Sequence, residues 1–167
     1  MRKFLNLIRN IKFLIQNWEI PGVLIITCKI TNKRRKMFLI VKSLRTQAIT
    51  FPSGSLHPLE GFYEAAAREL LEETGLKIKK PELVLTPLIH KFKYSYLPIQ
   101  IKSQQKVFFA LLKKKHNITV PQDKNVAWAR WYNFDKTLSL LTYQELKVTF
   151  KKAAEFLKKY ERDNREY

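Results

Sequence analysis

The segment Gly54–Leu76, GSLHPLEGFYEAAARELLEETGL, constrains this chain more than any other. It holds five glutamates and one arginine, while the whole protein has 32 Lys and Arg against 14 Asp and Glu, a formal net charge of +18. Clustered carboxylates repel one another, and a cation that neutralises them is a simple reason to keep them together. A solvated acidic helix face gives the same composition, so the spacing has to separate the two readings. On a helix at ~100° per residue, with Glu69 set at 0°, Glu72 falls near about −60° and Glu73 near about +40°. The three carboxylates then share one arc within a turn, where oxygen donors can share a hard cation such as Mg²⁺ or Mn²⁺. Ala65 and Ala66 flank that arc and are expected to leave room for metal and phosphate. Glu64 lies ~140° from Glu69 and is expected to pair with Arg68 at i,i+4. Tyr63, Ala67, Leu70 and Thr74 are expected to face the core, and Gly75 to end the helix. Gly54 allows a loop to fold back beside the carboxylates, which makes its carbonyl a further candidate ligand.

The rest of the chain bounds the setting. A length of 167 residues suits one domain. At 46% hydrophobic and 13% aromatic the chain can bury a core, which excludes a disordered polyelectrolyte. One cysteine, Cys28, excludes an internal disulfide and a multi-cysteine zinc site. The excess of positive charge points to polyanionic partners: nucleotides, nucleic acid or an acidic membrane surface. Residues 1–19 read as a basic amphipathic helix with Phe4, Ile8, Ile11 and Ile15 at helical spacing. Such a helix docks on the domain, lies on a membrane surface or serves as an organellar presequence. No stretch is long and apolar enough to span a bilayer, and a cytoplasmic location is expected.

Residues 20–160 read as the domain and 161–167 as a charged tail. Strands are expected at Val23–Ile30, Met37–Val41, Leu83–Thr86 (stopped by Pro87), Val107–Leu112 and Ala127–Phe134. Residues Lys91–Ser103 read as irregular. Helices are expected over residues 61–74 and Thr142–Tyr160, the second with a core stripe of Leu146, Phe150, Ala153, Leu157 and Tyr160. The order α-β-β-loop-α-β-β-β-α is that of an α/β or α+β layered domain.

The spacing of the acidic segment is specific. Gly54, Glu60, Arg68-Glu69-Leu70, Glu72-Glu73 and Gly75-Leu76 fall where the signature of the Nudix hydrolases has its nine defined positions. The segment resembles that Nudix box throughout, and the resemblance covers about residues 20–160. It implies an α/β fold, a Nudix-type α/β/α sandwich around a mixed β-sheet. It also implies hydrolysis of a nucleoside diphosphate linked to another group, with Mg²⁺ or Mn²⁺ as cofactor. Carried over by position, Glu69, Glu72 and Glu73 would bind metal with the Gly54 carbonyl, and Arg68 would orient them. Glu60 would be structural or bind an outer metal, and Glu69 is the candidate general base. Two departures concern the loop: Leu59 stands where the family usually has glycine, and Ser53-Gly54 replaces a paired glycine. His57, unusual in that loop, reads as a turn residue or a phosphate contact.

Outside the box the resemblance is to the diadenosine tetraphosphate hydrolase branch. That branch stacks adenine on aromatic residues and holds distal phosphates with a basic one, which implies Tyr94 or Tyr96 for stacking and Lys91 or Lys106 for phosphate; the two tyrosines equally suit loop aromatics packed on the sheet. A nucleotide substrate, most simply a nucleoside or dinucleoside polyphosphate, is therefore expected. That branch commonly has a glutamate where this chain has Asn125, with Asp123 as a nearby substitute. Two basic runs, Lys33–Lys36 and Lys113–Lys115, suit solvated turns or a phosphate backbone, so an RNA 5′-end pyrophosphohydrolase is the alternative. A non-catalytic nucleotide- or RNA-binding module would predict damaged carboxylates, and these are intact.

Overall fold

The computed structural model describes residues 19–96, 99–112, 117–121 and 125–164. The N-terminal amphipathic segment, Lys113–Lys115, Asp123 and the last three residues lie outside them. The elements are β1 (Glu19–Ile30), β2 (Lys36–Ser43), β3 (Ile49–Thr50), β4 (Ser53–Ser55), α1 (Phe62–Thr74), a 3₁₀ turn (Lys80–Glu82), β5 (Leu83–Tyr96), β6 (Ile99–Leu112), β7 (Val126–Tyr132), α2 (Phe134–Leu140) and α3 (Gln144–Asp163).

The continuous apolar run in β1 has a simple cause. A strand covered on both faces needs apolar residues in both phases of its alternation. Val23 and Ile25 join a core with Ala65, Ala66 and Leu70 of α1. Leu24, Ile26 and Cys28 point the other way, to Leu146, Phe150 and Leu157 of α3. Phe108 and Phe109 of β6 divide between the two cores in the same way. The sheet runs β3-β2-β1-β6-β5, with β4 also on β1 and β7 also on β2. β1 and β6 are parallel and the other pairs antiparallel. Helices on both faces of a mixed sheet are the α/β sandwich expected above. Phe150 centres the α3 side, fully buried, with its ring 4.9 Å from Phe38, 5.0 Å from Phe51 and 4.9 Å from Phe134. A side chain of that size contributes about 1.5–3 kcal/mol by leaving water.

Four local expectations are corrected. Pro87 does not stop a strand: β5 runs through it to Tyr96, with its register shifting between Leu85 and Ile89. Such an irregularity tolerates a residue that has no N–H for the ladder. Lys91–Ser103 is consequently not irregular but belongs to the paired strands β5 and β6. β1 begins at Glu19, ahead of the expected Val23, so Pro21-Gly22 lies inside it and the Pro21 carbonyl accepts from Leu56 N at 3.1 Å. Phe134 opens the short helix α2 instead of ending a strand, because Asn133 caps it by accepting from Lys136 N at 2.9 Å. The long helix keeps its expected core face, with Leu146, Phe150, Ala153 and Leu157 buried and Tyr160 half-buried, but it runs Gln144–Asp163 and so continues into the segment read as a charged tail.

Candidate active site

Helix α1 is fixed to the sheet by its smallest side chains. Ala65 and Ala66 are fully buried under the helix, so they do not open space for metal and phosphate as expected. Their size lets the helix lie close to β1 and β4, and the carboxylates project from another face. Leu70 and Thr74 are buried as expected, and Gly75 ends the helix in the left-handed region at φ 71. Glu64 does not pair with Arg68. Its carboxylate folds back over Gly61 at the helix N-terminus, where a negative group is favoured by the helix dipole.

Arg68 holds the site together. Its Nε donates to Glu60 Oε1 at 2.7 Å and its Nη2 to Glu60 Oε2 at 2.9 Å, a two-pronged pair. Its Nη1 donates to Glu69 Oε1 at 2.7 Å and to Glu72 Oε2 at 3.4 Å. Nη2 also reaches the Ser55 carbonyl at 3.0 Å, tying the helix to β4. The hydrogen bonds from Arg68 are the main reason Glu60 is held down at about 2, and His57 N adds one to Oε2 at 2.9 Å. Glu60 therefore locks the loop to Arg68, the structural one of the two roles set out for it. His57 serves that turn through its backbone. Glu69 moves the other way: burial pushes its carboxyl up, and the bond from Arg68 opposes this.

Glycine at positions 22 and 54 makes the junction possible. A Cβ on Gly54 would sit 1.9 Å from Glu69 Oε1 and 2.1 Å from its Cδ. A Cβ on Gly22 would sit 2.5 Å from the Gly54 carbonyl oxygen. The carboxylate, the β4 backbone and β1 thus meet with no room for a side chain. Gly22 was not singled out from sequence, since nothing local distinguishes it from a turn glycine. Leu59, which replaces the usual glycine, adopts a left-handed backbone at φ 65 and is fully exposed. That conformation costs a non-glycine residue about 1–2 kcal/mol.

Glu69, Glu72 and Glu73 line one cavity of about 220 Å³ with Val41, Ser43, Thr50, Asn125 and Val126. Ser53 N donates to Glu73 Oε2 at 3.2 Å, which brings the end of the arc to β4. Among the described residues no three acidic, His or Cys groups converge as a closed metal cage. The three carboxylates face a shared space, with Arg68 bridging two of them. The donor set is all oxygen and largely carboxylate, which fits a hard divalent cation. Asn125 borders this cavity with an amide, its Oδ1 accepting from Arg45 N at 2.9 Å. It closes the turn after β2 and contributes no carboxylate.

A second cavity, of about 420 Å³, adjoins the first and shares Ser43 and Thr50 with it. One wall is the period-2 series His90, Phe92, Tyr94 on β5. The rings follow one another at 5.4 and 5.9 Å between centroids. Of the four substrate candidates, Tyr94 lines this cavity. Lys106 instead places its amino group 3.9 Å from the centre of the Phe62 ring, and Lys91 is exposed and no part of the lining. Tyr96 continues the β5 ladder opposite Ile99, and its side chain lies outside the described residues. His90, Gln105, Tyr143 and Glu145 were not anticipated, although His-x-Phe-x-Tyr is a visible strand alternation once Pro87 is not taken as a stop. Cys28 takes no part: buried in the α3-side core, its thiol is pushed up to about 12.

Comparison with known proteins agrees with this geometry. The NUDIX domain family model matches residues 20–154. The fold is similar to a C. elegans Ap4A hydrolase in a binary complex, with a TM-score of 0.65 and 16% identity over 83% of this chain and 97% of that one. A NUDIX hydrolase of Listeria monocytogenes gives 0.67 and 20% over 83% and 94%. The E. coli dihydroneopterin triphosphate pyrophosphohydrolase gives 0.64 and 15% over 79% and 92%. Identities this low establish shape, while the family model covers most of the sequence. The chain belongs to the Nudix family and is a hydrolase of pyrophosphate bonds.

Proposed function

We propose that the protein is a divalent-metal-dependent pyrophosphohydrolase of nucleoside or dinucleoside polyphosphates. The observation that carries this reading is the pair of adjoining cavities, one lined by carboxylates and one by aromatic side chains. A nucleotide has the same two-part chemistry: an anionic chain that needs a cation, and a flat base that needs apolar walls. The Ap4A hydrolase and the dihydroneopterin triphosphate enzyme act on such molecules by name.

Glu69, Glu72, Glu73 and the Gly54 carbonyl are the residues that would hold Mg²⁺ or Mn²⁺. The cation supplies charge neutralisation on the diphosphate and a more acidic water. Arg68 fixes the geometry by bonding Glu60, Glu69 and Glu72 at once. Glu69 is the proposed base: Oε1 is held by Arg68, while Oε2 has no donor among the described residues and can take a proton from water. Arg45 and Lys93, at the second cavity, add positive charge toward the phosphate chain.

A product-resolved panel tests this reading. It offers dinucleoside polyphosphates, nucleoside triphosphates, ADP-ribose and 5′-triphosphate RNA, each with Mg²⁺, Mn²⁺ or chelator. Turnover should need metal and favour a free nucleotide. Glu73→Gln should lose about 100-fold or more with an unchanged melting temperature. Near-native turnover in that variant would sink the assignment. Preference for the RNA would move it to the 5′-end alternative.

A further inference from the structure

We infer that His90 selects which base edge the site accepts, its Nε2 atom taking a hydrogen bond from an N–H of the nucleobase. This rests on the reading that the aromatic cavity holds the nucleoside end. The argument begins with Thr149 on α3. Its hydroxyl has one proton, and the oxygen lies 3.0 Å from the Glu145 carbonyl, which can only accept. The oxygen also lies 2.9 Å from His90 Nδ1. Both contacts can be hydrogen bonds at once only if Thr149 donates to the carbonyl and accepts from His90, so the arrangement that satisfies both puts the imidazole hydrogen on Nδ1. Nε2 is then a lone pair.

The ring cannot easily turn away from this arrangement. His90 is 6% exposed and its ring is stacked on Phe92. Nε2 has no partner among the described residues, and His90 lines the aromatic cavity. Burial also pushes the imidazole down from its usual value, with Glu145 opposing, which favours the neutral ring. The charged groups facing this space are Arg45 from the turn after β2, Lys93 from β5 and Glu145 from α3. Arg45 and Lys93 are donors, so among these side chains His90 offers a neutral, fixed acceptor. A buried acceptor left unmatched costs binding, so a ligand that lacks the donor is rejected.

His90 is accordingly a specificity residue and Thr149 its positioning residue. The experiment measures KM and kcat with Mg²⁺ for the triphosphates of adenosine, guanosine, cytidine and uridine. Each is paired with the triphosphate of an analogue lacking one edge donor: purine riboside, 1-methylguanosine, 2-pyrimidinone riboside and N3-methyluridine. For the preferred base, the analogue should raise KM about tenfold in the wild type, with kcat little changed. His90→Asn keeps an atom for Thr149 but cannot reach the Nε2 position, and should erase that difference. His90→Gln can present its amide oxygen near Nε2 and should restore most of it. Thr149→Val frees the proton to sit on either nitrogen and should blunt it. Discrimination that persists in His90→Asn, or that follows loss of a base acceptor, would overturn the inference. Turnover with a flat His90 series would sink it alone. No turnover of any nucleotide by the wild type would sink the polyphosphate reading and this inference with it.

Discussion

The two ends of the cleft are built in opposite ways. The carboxylate end comes mainly from one continuous stretch, Gly54 to Glu73, and is held by charge: one guanidinium satisfies Glu60, Glu69 and Glu72. The aromatic end is gathered from five separate parts of the chain, near residues 24, 43–53, 90–94, 105 and 143–146. It is held by ring packing and a neutral hydrogen bond between β5 and α3. Ionic contacts of fixed geometry suit a site that must hold several like charges in one place. A wall assembled from distant segments can change one residue at a time, which suits choice of substrate.

The largest expected effect breaks the charged end. Arg68 is 19% exposed, and Glu60 and Glu69 are each 12% exposed. Arg68→Met would leave those carboxylates without their cation. It should cost about 3 kcal/mol, read as a lower denaturant midpoint at unchanged slope. Arg68→Lys should recover less than half, because an ammonium cannot fork Glu60 and still reach Glu69. A midpoint within error of wild type for Arg68→Met would show that the network is ornamental and that the helix is held by packing alone.

A smaller effect of opposite sign sits in the loop of the same end. Leu59 holds a left-handed backbone at φ 65 with its side chain in solvent. Leu59→Gly removes about 1–2 kcal/mol of backbone strain. It returns part of that through greater freedom of the unfolded chain. A net gain of about 0.5–1 kcal/mol is expected, seen as a rise in melting temperature. A fall would mean that Leu59 makes contacts this reading does not credit.

The contrast also explains what was legible from the sequence. The carboxylate arc could be placed because a helix converts spacing into direction within a few residues, while the role of Arg68 came from the resemblance to the Nudix box and Gly54 from the close approach a glycine permits. The α3 stripe was legible for the same reason, and β1 because its run of apolar and β-branched residues marks a buried strand. Ala65 and Ala66 were misjudged because a small residue is equally at home beside a ligand and beneath a helix. His90 was missed because Pro87 suggested an end to β5, and a bulge is visible only in the paired register. Gly22 depends on an approach by residue 54, and no local pattern announces such a contact.

The smallest signal is a pH slope, and it separates the two ends. Burial holds His90 below its ordinary value of 6.5. As pH falls through 6.5 the unfolded chain binds a proton that native His90 still refuses. Stability is therefore full above about 6.5 and is lost as pH falls toward the lower native value. Glu60 is held down from 4.5 to about 2, chiefly by Arg68, so its contribution is full above about 4.5 and is lost as pH falls toward 2. Each group can add at most about 1.4 kcal/mol per pH unit, the limit for one proton. Denaturant midpoints measured between pH 8 and pH 3 would show both windows. His90→Gln should flatten the curve as pH falls below about 6.5 and leave the part set by Glu60 alone. Glu60→Gln should flatten the limb below about 4.5 and leave the upper window alone. If both substitutions changed the same window, the two ends would be titrating as one unit, and the division between a charged anchor and a neutral selector would fail.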